Sequence, residues 1–95
     1  MYIVFLKFAE NKANAPQFME GHKNWIKQGM DENVFLLVGS IEPNAGGMIL
    51  AHNAKVEELE ERVNQDPFVK ENIVSAEITK ITPTKAHEKM KFLLS

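Results

Sequence analysis

Cysteine is absent from all 95 residues, which excludes a disulfide framework, a thiolate nucleophile and a cysteine-type zinc site, and suits a reducing, cytosolic setting. An excess of basic charge is also lacking. Eleven Lys and Arg stand against thirteen Asp and Glu, a formal balance of −2, and they are spread along the chain rather than gathered into a stripe with aromatics between them. No nucleic-acid partner is expected from such a distribution. No apolar run approaches the ~20 residues of a spanning helix, and Tyr2-Ile3-Val4-Phe5-Leu6 has neither a basic leader before it nor a small-residue cleavage site after it, so neither a membrane partner nor a signal peptide is expected. Five glycines form no dinucleotide fingerprint and no phosphate loop, and His52 and His87 lack metal-ligand spacing with each other or with His22; no cofactor and no metal are expected.

What is present is ordinary globular material, 44% hydrophobic and 25% charged. Residues 2–8 are rich in β-branched and aromatic types and run into polar Glu10-Asn11-Lys12, the pattern of a strand entering a loop. Asn14 or Ala15 precedes Pro16, and Phe18, His22, Trp25, Ile26 and Gly29 follow at helical spacing, which predicts a first helix ending near Gly29. After the turn Asp31-Glu32-Asn33, residues 34–38 read as a strand apolar on both faces and closed by Gly39. Residues 42–47 are loop chemistry and Met48 to Ala51 a third strand, making a hairpin.

Asn53 is the predicted cap of a second helix with Val56, Leu59 and Val63 buried and Glu57 and Glu58 near its positive end. Asp66-Pro67-Phe68 breaks that helix and can start a short turn. Residues 73–82 form a fourth strand stopped by Pro83, and the tail places Ala86, Met90 and Leu93 at helical spacing.

The order βαββαβ is that of the ferredoxin-like split βαβ fold, an α+β domain over residues 1–83 with the tail, 84–95, outside it. Both helices then cover one face of an antiparallel four-stranded sheet. Strands that are apolar on both sides leave the other face as a patch too large for a soluble monomer, and a face-to-face homodimer is the expected answer.

His22 is the histidine that falls on the apolar stripe of a regular element. An imidazole there can act as a general acid or base if a carboxylate orients it. It can equally be a packing residue bonded to a backbone carbonyl. Asp66 before Pro67 has the same two readings: a helix cap, or the partner that points at His22 and fixes one tautomer. Gly39, Ser40 and Gly47 read first as turn residues, and second as a loop offering a small-molecule ligand a cleft with hydroxyl and backbone N–H contacts. Trp25 and the methionines read as core, and Glu57, Glu58, Glu60 and Glu61 as a solvated helix face.

Taken together, His22 with Trp25 three residues on, Gly39, the Gly46-Gly47 hairpin, an acidic second helix and Asp66-Pro67-Phe68 resemble the YCII-related (YciI-like) family over about residues 1–83. The resemblance implies a dimeric α+β barrel, homodimers, and a site built on a His–Asp pair, which falls on His22 and Asp66. It implies, through a dehydrochlorinase-like branch, action on hydroxylated chloroaromatics. The sequence departs from the pattern at Met19, where many members carry a basic residue, at Gly39-Ser40, where many have Gly-Pro, and in its longer tail.

The function expected is a small cofactor-independent enzyme of the lyase or isomerase kind, with His22 as base or acid, Asp66 orienting it, and Ser40, Gly39 and Gly47 contacting substrate. Two alternatives stand beside it. One is a non-catalytic small-molecule-binding or interaction module, the other a cofactor-free monooxygenase of the dimeric α+β barrel type.

Overall fold

A computed structural model describes residues 1–94; Ser95, the last residue of the expected tail, lies outside them. β1 (Tyr2–Phe8) leads through a 3₁₀ turn (Lys12–Asn14) into α1 (Ala15–Asp31), followed by β2 (Phe35–Ile41), β3 (Gly46–Ala51), α2 (Val56–Asn64), a one-turn α3 (Pro67–Lys70) and β4 (Val74–Lys80). A second 3₁₀ segment, Glu88–Leu94, is the last described element. The strands form one antiparallel sheet in the order β2-β3-β1-β4. This is the ferredoxin-like α+β fold.

The period-2 alternation of β1 divides the sheet into two faces. Tyr2, Val4 and Leu6 are buried with Phe35, Ile49 and Ala51 of the neighbouring strands and with Trp25, Leu59, Val63 and Phe68 from the helical side. Ile3 and Phe5, on the opposite face, are only half-buried, and Leu37, paired with Leu50 on that same side, is 53% exposed. The expectation that β2 is covered on both sides therefore fails within one chain. A bulge between Phe35 and Leu37 lets Phe35 face the helices while Leu37 and Leu50 face out.

Several boundaries differ from the sequence reading, each for a local reason. α1 continues past Gly29 to Asp31, because Gly29 is a buried packing position against the Phe35 ring and not a terminator. β2 does not close at Gly39 but runs through Ser40 to Ile41, paired with Gly47 and Gly46. Gly46 has φ +123°, and a Cβ there would stand 2.1 Å from the Leu6 carbonyl oxygen, so the close approach of β3 to β1 demands glycine. Asn53 is not the cap of α2: it takes φ +61° in the preceding turn, and the cap is Lys55, whose N–H donates to Glu58 Oε1 at 2.8 Å. Trp25 is core, its Nε1–H donating to the Arg62 carbonyl at 2.9 Å, whereas Met19, Met30 and Met90 are exposed. The four glutamates of α2 are exposed as expected.

The tail forms tight 3₁₀ turns in place of an α-helix. The Phe92 ring meets the His52 ring edge-on at 5.9 Å, while Met90, Phe92 and Leu94 remain largely exposed.

Candidate active site

The site begins with two segments 44 residues apart in sequence. His22 lies midway along α1, on the side turned toward α3. Asp66 immediately precedes α3, in extended conformation. Gly21, next to His22, lets the two segments come together: a Cβ there would already stand 3.2 Å from Pro67 Cγ.

The His22 Nδ1–H donates to Asp66 Oδ1 at 2.8 Å. A carboxylate only accepts, so the bond assigns the proton to Nδ1 and leaves Nε2 without a hydrogen-bond partner among the described residues. Oδ1 also accepts the Phe68 N–H at 3.0 Å, capping α3. The two roles that the sequence offered as alternatives for Asp66 are thus held at once by a single oxygen. Its other oxygen, Oδ2, is buried with no hydrogen-bond partner among the described residues. Asp66 is 0% exposed and the His22 side chain 13%. With the carboxylate fully buried, solvent screens the hydrogen bond only weakly, and the charge-assisted contact is correspondingly strong.

Stacking fixes the remaining freedom of the ring. Phe68 lies parallel to the His22 imidazole, centroids 3.9 Å apart and planes 3° from parallel, with Trp25 at 6.0 Å. The Asp–Pro–Phe segment therefore supplies a carboxylate to one ring nitrogen, a proline against α1 and an aromatic face to the ring.

His22 opens on a cleft of about 360 Å³ between α1 and one end of the sheet, a size that suits a molecule of one or two rings. The sheet opens there because the row Leu6, Gly47, Ser40 across β1, β3 and β2 carries almost no side-chain bulk beyond Leu6. Gly39, Ser40 and Gly47 all line this cleft, as do Phe8, Met19 and Phe68. Position 19 thus reaches the cleft as an apolar side chain. No described residue of the tail lines it.

Three features of the cleft were not read from the sequence. Phe68 is the platform for His22; the Asp66-Pro67-Phe68 tripeptide is distinctive in sequence, but its stacking depends on how α3 lies against α1. Lys23 lines the cleft beside His22, and Val38 does so from β2. His52 and His87 stand apart, the first against Phe92, the second accepting the Lys89 N–H on Nδ1 at 3.2 Å. Among the described residues, no helix is long and apolar enough to cross a membrane.

The sequence matches no family model and no curated protein. Among solved structures the chain is similar to 5-chloro-2-hydroxyhydroquinone dehydrochlorinase (TftG) from Burkholderia phenoliruptrix AC1100, solved in complex with 2,5-dihydroxybenzoquinone. The TM-score is 0.69 at 11% identity, over 85% of this chain and 93% of that one. At that identity the likeness is one of fold, which unrelated activities can share.

Proposed function

We propose that the protein is a small acid–base enzyme in which the His22–Asp66 pair moves a proton on a small hydroxylated aromatic molecule bound in the cleft. The observation that carries the reading is the 2.8 Å bond from His22 Nδ1 to a fully buried Asp66, which leaves Nε2 as the working nitrogen at an apolar cleft. Nε2 takes a proton from a phenolic hydroxyl or an activated carbon, Asp66 stabilises the imidazolium that results, and the proton is returned to another atom of the substrate or its leaving group. Ser40 and the backbone at Gly39 and Gly47 are the substrate contacts in this scheme. Proton transfer of this kind calls for no cofactor. The fold likeness to a dehydrochlorinase supports acid–base chemistry, since loss of hydrogen chloride requires a base for the proton, and that protein's hydroxyhydroquinone substrate suggests the substrate class.

The same proposal places the chain in the YCII-related group and makes it a homodimer through the outer face of the sheet, where Ile3, Phe5, Leu37 and Leu50 stand uncovered by the chain's own helices. Light scattering at micromolar concentration should give twice the monomer mass of 10.8 kDa.

A panel of hydroxyquinols, chlorohydroxyquinols and halophenols tests the activity, with product absorbance, chloride release and oxygen uptake recorded together. Turnover without oxygen uptake, lost in His22→Gln, is the expected result. Oxygen uptake would favour a cofactor-free monooxygenase, and tight binding without turnover a binding module.

A further inference from the structure

We infer that Lys23 is the specificity-determining residue of the cleft and that it selects planar organic anions, molecules with an aromatic body and one carboxylate or ionised hydroxyl. The inference rests on the reading of the cleft as a small-molecule site. Among the described residues that line it, Lys23 is the single charged side chain, and His22 and Ser40 are the other polar ones. No carboxylate faces the ligand space, because Asp66 is buried behind His22 with Oδ1 turned to the ring.

Lys7, Lys70, Lys80 and Lys85 are, like Lys23, without an ion pair among the described residues but do not line the cleft, and three cations close to α1 are engaged elsewhere. Lys27, one turn along the same helix, is held by Asp31 at 2.7 Å; Arg62 is held by Glu32; Lys12 sits 4.4 Å above the Phe8 ring. Lys23 has no ion pair and no hydrogen bond among the described residues. A cation without a partner, at the mouth of an apolar cleft, on a chain of net charge −2, is a local inversion of the molecule's charge. Met19 lies one turn before Lys23 and also lines the cleft, so the lysine stem can run along apolar surface while its ammonium meets the acidic oxygen of a ligand. A neutral ligand of the same shape would fill the apolar part and leave the ammonium unused.

Benzoate and benzamide are the paired probes, equal in shape and different in charge, titrated at constant pH and low salt with amide resonances of the cleft followed by NMR. The wild type is expected to bind benzoate about tenfold more tightly than benzamide, the scale of one charge-assisted hydrogen bond. Lys23→Met, which keeps the stem and removes the charge, should erase that preference without altering benzamide affinity. Lys23→Arg should restore it, and Lys27→Met should leave it intact. Equal affinities in the wild type, a preference that survives Lys23→Met, or failure of both probes to perturb the cleft would each overturn the inference. Turnover does not enter this test. A protein that prefers benzoate through Lys23 but turns over nothing would refute the acid–base function and leave the selectivity standing, and a catalyst with no such preference would do the reverse.

Discussion

Two acid–base pairs join α1 and its C-terminal cap to the last turn of α2 and the residue before α3, and they do so in opposite surroundings. Near the middle of α1, His22 meets an Asp66 that is fully buried, doubly engaged through one oxygen and flanked by an aromatic stack. Near its end, Glu32 meets Arg62 at the surface, both side chains in reach of water. The more exposed pair is screened by solvent, so it adds little that water would not supply. Removing a partner from the buried pair leaves polar groups with nothing to bond. The same packing seam thus holds one pair that demands fixed geometry and one that tolerates its loss.

Asp66→Ala is the severest break. It removes the cap of α3 and the tether of His22 together, leaving the Phe68 N–H and the His22 Nδ1–H without acceptors, and it should destabilise the fold by about 2–4 kcal/mol in urea denaturation. Asp66→Asn keeps an oxygen for the cap but buries amide N–H donors where Oδ2 has no partner, so it should cost about 1–3 kcal/mol, while impairing any turnover through a misoriented ring. An Asp66→Ala loss no larger than that of Glu32→Gln would erase the contrast between the pairs.

Between the two pairs lies Trp25, whose indole N–H bonds the Arg62 carbonyl. Trp25→Phe keeps most of the apolar body and loses that bond, so a cost of about 1–2 kcal/mol is expected from the same denaturation measurement. His22→Gln should be gentler still, within about 1 kcal/mol, because volume and one polar contact to Asp66 remain.

Glu32→Gln should have the smallest effect, with a diagnostic pH dependence. The hydrogen bond from Arg62 comes first, then that from Gln28 and the nearby positive charge, and together they hold the Glu32 carboxyl below its usual 4.5. A group with a depressed folded-state pKa stabilises the fold above its unfolded value and loses that contribution as pH falls through the folded one. The midpoint difference between wild type and Glu32→Gln should therefore be present at neutral pH and fade below pH 4.5. A difference unchanged across that range would assign it to packing.

How much of this was legible in the sequence follows the range of the interactions. β1, α1 and the βαββαβ order rest on local periodicity, and the residues that set it are the ones found buried, Val4, Leu6, Trp25, Leu59 and Val63. Gly39 and Ser40 read as a strand end because turn chemistry and a bare strand edge use the same small residues; only their pairing with Met48 and Gly47 distinguishes the two. Asn53 was misjudged because asparagine serves both as a helix cap and as a left-handed turn residue. The proximity of His22 and Asp66 could be suspected from residue type and family pattern, but no spacing encodes a contact across 44 residues. The stacking of Phe68 and the placement of Lys23 at the cleft depend on how α3 and the sheet end lie against α1, and neither has a signature in sequence.

Deuterium incorporation at the ring carbons of hydroxyquinol, followed by proton NMR in anaerobic D₂O, tests most directly whether His22 moves protons in the cleft. It needs no leaving group, only a base that ionises the hydroxyl and an acid that delivers a proton to carbon. The account predicts that wild-type protein accelerates exchange over buffer and that folded His22→Gln returns it to the buffer rate. Exchange at the buffer rate with wild type, or at the wild-type rate with His22→Gln, would contradict it.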